Sequence, residues 1–237
     1  MTKRSKRYKN IESKLEKKPA YTIAEAVQQI KASTNTKFDE TVDMAINLGI
    51  DPKKQDQTVR GSVSLPFGSG KKVRILVLTR GEKEKEAKDA GADNVGFEEY
   101  ITKIKEGWLD FDIVVATPDV MSEVGKLGKI LGTKGLMPSP KSGTVTFDIA
   151  PTVKSLKAGR IQFKTDKTGN VHAIVGKASF ENEKLEKNIL AVISEIQKIK
   201  PATVKGQFFR TITLSSTMGI GFRLDVKEIT EMARKEI

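Results

Sequence analysis

The sequence contains no cysteine, one histidine and few aromatic residues, and it has no long hydrophobic run. Without cysteine, the chain can form no disulfide bond, no thiolate zinc site and no cysteine nucleophile. No apolar segment approaches the roughly 20 residues that a membrane-spanning helix needs. The first ten residues, MTKRSKRYKN, also lack the hydrophobic core of a secretion signal. These absences predict a cytoplasmic protein without a membrane partner.

Motifs of catalysis and cofactor binding are missing as well. Residues 68–71 superficially resemble a phosphate-binding loop, but Leu65 stands where that loop needs its first glycine, and a predicted strand follows instead of a helix. His172 has no second histidine and no cysteine with which to hold a metal. Asp110 and Asp112 are paired acids, but nothing around them indicates acid–base chemistry, so we expect solvated surface charge. We therefore expect no enzyme activity, no metal and no cofactor.

What the chain has in excess is positive charge. Its 237 residues include 42 basic and 30 acidic side chains, which gives a net charge of +12. Such an excess favours a polyanionic partner, most often a nucleic acid. Residues 70–158 hold 15 basic and 13 acidic side chains, whereas the rest of the chain holds 27 and 17. The two ends of the chain should therefore provide most of the attraction for a nucleic acid.

The N-terminal part shows helical and then two-residue periodicity. Residues 3–18 predict a basic helical arm, and Thr22 with Glu25 predicts a capping box at the start of a second helix. Apolar residues then alternate with polar ones over 42–48 and 59–65. This alternation predicts strands that are buried on one face and polar on the other.

The C-terminal part repeats this character. Residues 166–170 predict a hairpin turn, and residues 185–199 predict an amphipathic helix that Pro201 ends. A last strand is predicted at 207–215, with Phe209 on its polar face.

The middle of the chain follows a different pattern. Residues 73–78 and 111–116 are nearly continuous apolar runs, as expected of strands that are covered on both faces. Between them we predict a helix at 82–90, a short strand at 94–97 and a helix at 98–106. Alternating strands and helices are typical of a parallel α/β sheet.

These patterns predict an α/β protein of two domains. The changes of pattern fall at residues 66–70 and 158–159, where the residues are compatible with hinges. Residues 1–66 plus 159–237 form the split domain, whose sheet is mostly antiparallel. Residues 67–158 form the parallel α/β domain that is inserted into it.

Residues 125–145 form a glycine-rich basic segment, with five glycines, four lysines and no acid. Its glycines and prolines exclude one regular helix or strand throughout, and its charge indicates an exposed surface. A flexible linker is the alternative. Apolar residues that a linker would not need argue against that alternative: Leu127, Ile130, Leu131, Leu136 and Met137.

Three short patches have a composition suited to RNA. They lie at residues 36–41, 164–168 and 215–219, and they combine hydroxyl side chains with lysine, an aromatic ring or glycine. Short hydroxyls and a closely approaching backbone suit contacts to ribose 2′-hydroxyls and phosphates. Each patch taken singly is also typical of an ordinary turn.

A set of short segments is distinctive in its order and spacing along essentially the whole chain. These segments are residues 37–42, 59–61, 65–66, 90–93, 110–112, 116–119, 131–144, 158–160, 166–169, 175–177 and 217–219. Through them the chain resembles the bacterial large-subunit ribosomal protein L-one family, the protein of the mobile stalk beside the tRNA exit site. Three residues depart from the family's usual pattern without removing a charge or an essential glycine: Thr133, Ser139 and Ile220.

The resemblance implies a fold and a function. It implies that the split domain is an open α/β sandwich and that the inserted domain is Rossmann-like, with three layers and no nucleotide. The implied partners are stalk ribosomal RNA, exit-site tRNA during release of deacylated tRNA, and the protein's own operon messenger RNA, which it represses. The protein would be a monomer outside the ribosome.

The resemblance also implies RNA-contact residues. Phe38 and Met218 either touch RNA or pack beneath the sheet, and the sequence leaves both open. The lysines of the glycine-rich segment would face RNA or tRNA: Lys129, Lys134 and Lys141. The implied contacts of the three patches are Lys37, Phe38 and Thr41, then Lys164, Asp166, Lys167 and Thr168, then Ser216, Thr217, Met218 and Gly219.

Two other function classes are weighed against this one. A nucleotide-dependent enzyme built on the middle domain lacks both a phosphate fingerprint and an acid–base constellation. A general DNA-binding protein lacks a helix-turn-helix or zinc motif.

Overall fold

The computed structural model describes residues 5–15, 18–81 and 83–235. The helices are α1 (Lys6–Lys14), α2 (Ile23–Ser33), α3 (Lys83–Asp89), α4 (Glu98–Lys105), α5 (Met121–Val124), α6 (Gly128–Thr133), α7 (Ile149–Lys157), α8 (Asn182–Lys198) and α9 (Val226–Lys235). The strands are β1 (Thr41–Leu48), β2 (Arg60–Ser64), β3 (Ile75–Leu78), β4 (Asn94–Gly96), β5 (Ile113–Ala116), β6 (Arg160–Lys164), β7 (Asn170–Lys177), β8 (Phe209–Ser216) and β9 (Phe222–Arg223).

The chain divides into two compact units. The first unit comprises Met1–Gly70 with Ile161–Ile237, and the second comprises Lys71–Arg160. The four-stranded sheet of the first unit is antiparallel in the order β7-β1-β8-β9, and β2 pairs with β6 in a separate sheet. The sheet of the second unit is parallel in the order β4-β3-β5. The mixed α/β class is thereby confirmed, while the assignment of the units as independent domains stays a prediction.

Helices cover one face of the four-stranded sheet in the first unit. Along β1 the residues alternate between buried and half-buried, as their two-residue period predicts. The buried set packs with α2, α8 and α9 into one core. The predicted capping box at Thr22 is confirmed: its hydroxyl accepts from the Glu25 amide at 3.3 Å, and the Glu25 carboxylate accepts from the Thr22 amide at 3.2 Å.

The predicted position of Phe209 in the last strand is wrong. The alternation over residues 207–215 predicts it on the polar face, but Phe208 and Phe209 are 7% and 3% exposed and contact each other. The pairing with β1 shifts register between Asn47 and Leu48, which places Leu48 opposite Phe209. A bulge of this kind brings two successive side chains to the same face, so strict alternation fails at this point.

The second unit buries its parallel sheet between helices. All four residues of β3 are buried, as its continuous apolar run predicts. One face of the sheet packs against a core that includes residues of α3 and α7. The other face packs against residues of α4, α5 and α6. The predicted alternation of strand and helix is confirmed.

An ion-pair cluster in the second unit lies just before strands β3 and β5 begin. The Asp112 carboxylate accepts from Lys71 Nζ at 2.7 Å and from the Arg74 amide at 3.1 Å, and the Arg74 guanidinium bridges Asp112 and Asp110. The bond from Lys71, followed by the bonds from Arg74, lowers the pKa of Asp112 to about 2 against the opposing effect of burial. Asp112, which the sequence marked as simple surface charge, is therefore a structural carboxylate.

We expect Asp112→Asn to reduce the free energy of unfolding by about 1–2 kcal/mol at pH 7, because the folded state binds the charged form best. A folded-state pKa below the unfolded value of about 3.9 gives stabilisation that is present above pH 4 and lost as the pH falls toward 2. Urea unfolding followed by the fluorescence of Trp108, which packs on Phe111, would measure the difference at pH 7 and pH 3. A difference that does not shrink at pH 3 would contradict the assignment.

Candidate nucleic-acid interface

The first and third sequence patches meet at one end of the four-stranded sheet. The Thr217 amide donates to the Thr41 carbonyl at 3.0 Å, and the Thr41 amide donates to Thr217 Oγ1 at 3.0 Å. These bonds continue the β1–β8 ladder, in which Val42 is opposite Ser216. The two segments are 176 positions apart in sequence. We call the surface formed by residues 37–41 and 215–219 the junction.

Lys177, at the end of β7, fixes the other side of the junction. Its Nζ donates to Thr41 Oγ1 at 2.9 Å and lies 3.4 Å from the Asp39 carbonyl. The Asp39 carboxylate in turn accepts from the amide and the hydroxyl of Ser179. The loop that precedes β1 is thereby held by groups from β7 onward. Sequence reasoning did not select Lys177, because only strand pairing brings it beside Thr41.

Two large apolar side chains lie on the surface of the junction. Phe38 is 53% exposed and Met218 is 48% exposed, and Lys37 beside them is exposed as well. The alternative that Phe38 and Met218 pack beneath the sheet is therefore wrong for this structure. A ring and a thioether among hydroxyls and lysines can stack on an unpaired base or on a ribose, while the polar groups bind the backbone of an RNA.

Ser216 and Gly219 pack against each other and so determine the shape of the turn. Ser216 is only 5% exposed, so the structure does not offer it for direct contact, contrary to its place among the implied RNA contacts. Its Oγ lies where a side chain at Gly219 would begin, because an ideal Cβ there would be 2.3 Å from that oxygen. The turn thus needs glycine at position 219 for steric reasons.

The second patch lies at the opposite end of the sheet. Asn170 is opposite Asn47, and the Leu48 amide bonds to Gly169, whereas the junction begins at Thr41. A strand that rises about 3.3 Å per residue separates the hairpin from the junction by about 20 Å. The structure therefore brings the first and third patches together and leaves this hairpin apart.

The Asp166 carboxylate is occupied within that hairpin. It accepts from the Asn170 amide and from the amide and hydroxyl of Thr168, each at 2.8 Å. These bonds hold the pKa of Asp166 far below its ordinary value, with the Asn170 amide as the largest cause. Asp166 is a turn-forming residue, while Lys164, Lys167 and Thr168 around it are exposed.

A polar sheet face connects the two ends. The register aligns Ala45 with His172 and Thr213, and it aligns Asn47 with Asn170 and Thr211. Burial raises the pKa of Asp43 on this face, although Lys177 and His172 act in the opposite direction. These side chains are half-buried or exposed. Period-two alternation indicated the face, but only the strand order shows which residues are neighbours.

The glycine-rich segment is anchored as predicted. Leu127 and Leu131 are buried, and the helical course through α5 and α6 continues to Thr133 before the loop begins. Lys129 and Lys134 are exposed. The Lys141 side chain lies outside the described residues, as do residues 3–4 and 16–17 of the predicted basic arm. The linker alternative is wrong, because the apolar residues pack into the core of the second unit.

Among the described residues there is no cluster of three or more histidine, aspartate or glutamate side chains that could hold a metal ion. His172 Nε2 lies 3.8 Å from Asp166 Oδ2, which is too long for a hydrogen bond. In the part of the chain that the structure describes, no helix has both the length and the apolar character needed to cross a bilayer.

The class of protein follows from comparison with known families. The chain belongs to the Ribosomal protein L1p/L10e family, whose model matches residues 30–220. That range covers the junction from Lys37 to Gly219, the polar sheet face and the second unit. Ribosomal proteins are structural components of a ribonucleoprotein particle, and the members of this family are not enzymes. The resemblance stated from the sequence is thereby confirmed, and with it a non-enzymatic, RNA-binding protein of the cytoplasmic ribosome.

A curated relative supports this assignment. The chain is 52% identical over 231 residues to a protein of Kosmotoga olearia named "Large ribosomal subunit protein uL1". The match covers 98% of this chain and 100% of the relative. The similarity therefore extends over both units and is not confined to a shared domain.

Proposed function

We propose that this chain is a protein of the large ribosomal subunit that binds the stalk region of ribosomal RNA through the junction. The observation that carries the proposal is the pairing of Thr41 with Thr217. It unites a lysine, two exposed apolar side chains and several hydroxyls on one pre-formed surface. The near-complete match to a large-subunit relative supports the choice of particle.

The two units have separate roles in this proposal. The first is a split domain, an open sandwich with the junction at one end of its sheet and the 164–168 hairpin as a second RNA contact. The second is an inserted Rossmann-like domain, whose exposed Lys129 and Lys134, together with Lys141, face RNA or exit-site tRNA. The protein acts as a monomer outside the ribosome. It assists release of deacylated tRNA and represses its own operon messenger, which carries a mimic of the stalk site.

A competition experiment tests the central proposal. Binding of a stalk RNA fragment is measured across a salt series, with excess unrelated duplex RNA as competitor. We expect binding that survives the competitor, because a shaped surface reads an RNA fold whereas net charge does not. Binding that is lost to the competitor at every salt concentration would mean that the charge of +12 acts alone, and the proposed function would fail.

Thr217→Val should weaken stalk RNA binding by about 1–2 kcal/mol, roughly a factor of ten, because Thr217 Oγ1 orders the junction through Thr41 and offers a hydroxyl to the RNA. The matched control is Thr102→Val on the exposed surface of α4, where the hydroxyl bonds only within its own helix turn. Titration of labelled RNA measures both variants. Equal affinities for the two would remove Thr217 from the interface.

A further inference from the structure

A buried carboxylate lies directly beneath the junction. Glu40 immediately precedes β1 and is 0% exposed. Its Oε2 accepts from the Met218 amide at 3.1 Å, and its own carbonyl accepts from the Ala178 amide at 2.8 Å. An unpaired charge in such a place would cost several kcal/mol. Glu40 therefore needs compensation by hydrogen-bond donors and by positive charge.

Arg7, in the N-terminal helix α1, is a cation that contacts the turn at Thr217–Gly219. Its Nη2 donates to the Met218 carbonyl at 2.5 Å. Burial by itself would raise the pKa of Glu40, but the Ser216 hydroxyl, the Met218 amide, the Thr36 hydroxyl and the charge of Arg7 together lower that pKa below its ordinary value. The charged form of Glu40 is thus the stable one. The Met218 amide and carbonyl are held by two oppositely charged side chains.

This arrangement is not a saturated hydrogen-bond network. Within the described chain, Arg7 Nη1, Glu40 Oε1 and Ser216 Oγ are buried and make no hydrogen bond of ordinary geometry, although the Ser216 hydroxyl is close enough to stabilise the carboxylate. Arg7 is held at the turn by its bond to the Met218 carbonyl, and its charge adds to the groups that keep Glu40 ionised. Loss of Arg7 removes one of the groups that compensate the buried charge of Glu40.

We propose that Arg7 and Glu40 are positioning residues for the RNA-binding turn at Thr217–Gly219, acting on it through the Met218 backbone. This inference rests on the proposed function, because it assigns a cause to the shape of the same junction. Arg7 contributes to binding through the protein and not by neutralising a phosphate. Other arm cations, such as the exposed Lys9, act only through their charge.

The difference between positioning and phosphate contact can be measured by salt dependence. A lysine or arginine on a phosphate changes the slope of log affinity against log salt by about 0.7–0.9 when it is removed. Lys9 is two positions from Arg7, so an α-helix directs it about 200° away from the Met218 side. The pair Arg7→Gln and Lys9→Gln therefore removes the same charge from the same helix, with and without the contact to the turn.

We expect Arg7→Gln to lower stalk RNA affinity about tenfold at every salt concentration with an unchanged slope, because a misplaced turn loses contacts that salt does not screen. Lys9→Gln should change affinity at most about twofold at moderate salt, as single exposed charges do. Glu40→Gln, which keeps the shape and removes the charge, should match Arg7→Gln. Combined Arg7→Gln and Glu40→Gln should cost less than the sum of the two single losses, because both variants disturb the same turn.

A second readout uses the free protein. The backbone amide NMR signals of Thr217, Met218 and Gly219 should shift in Arg7→Gln and stay in place in Lys9→Gln. If Glu40→Gln does not fold, the half-buried Arg7 still provides the full test. Unshifted amide signals, or a salt slope reduced as for a phosphate contact, would overturn the positioning role. Failure of the wild-type protein to bind stalk RNA selectively would instead contradict the proposed function. The amide signals would still test whether Arg7 positions the turn.

Discussion

Replacing Asn188 with leucine should lower the free energy of unfolding of the first unit by about 2–4 kcal/mol, because one buried and two part-buried backbone groups lose their partner at once. Asn188 lies on α8 and is 0% exposed. Its Nδ2 donates to the Val175 carbonyl at 2.8 Å and to the Gly68 carbonyl at 3.0 Å, and its Oδ1 accepts from the Phe67 amide at 3.1 Å. Leucine has a similar volume, so the loss reports on hydrogen bonding rather than on a cavity.

Urea unfolding followed by circular dichroism measures this loss. The control is Ser194→Ala on the same helix, where one buried hydroxyl makes a single 3.4 Å bond to the Ala233 carbonyl. We expect the control to cost about 1 kcal/mol. The chain has one tryptophan, Trp108, and it lies in the second unit. If the units are independent domains, the fluorescence transition of Trp108 is unchanged in Asn188→Leu. A loss of unfolding free energy no larger than in Ser194→Ala would contradict the role of Asn188.

Gly219→Ala should weaken stalk RNA binding by about 2 kcal/mol, roughly thirtyfold, because overpacking at this position forces a buried side chain or the turn itself to move. The new Cβ would lie 2.3 Å from Ser216 Oγ but 3.5 Å from Ser216 Cβ. The second distance is ordinary van der Waals contact. The steric conflict therefore involves one oxygen atom.

A second substitution isolates that atom. Ser216→Ala alone should have a much smaller effect on RNA affinity than Gly219→Ala, since Ser216 is buried and its hydroxyl is only one of several groups that stabilise the Glu40 carboxylate. The double variant Ser216→Ala with Gly219→Ala should recover most of the lost affinity, because the clash is gone. Both variants are measured by titration of labelled stalk RNA. A double variant that binds no better than Gly219→Ala would show that glycine serves the RNA directly and not the packing of the turn.

Local chemistry explains why much of the fold could be predicted. The capping box of Thr22 and Glu25 satisfies backbone groups within one helix turn, so its recognition needs no knowledge of distant residues. The alternation along β1 and the continuous apolar run of β3 record how many faces of each strand are buried. The pattern failed at Phe209, where a bulge depends on the partner strand.

By itself, the sequence determined the α/β class, most element positions, the basic character of the terminal segments and the family, because periodicity, capping and motif order are local properties. Only the tertiary structure decided how the candidate site is assembled. Pairing of β1 with β8 joined Thr41 to Thr217, buried Ser216 and left the 164–168 hairpin at the far end of the sheet. The position of α1 also brought Arg7 to the Met218 carbonyl across 211 positions of sequence. Contacts between segments so far apart depend on strand order and packing, which no local pattern encodes.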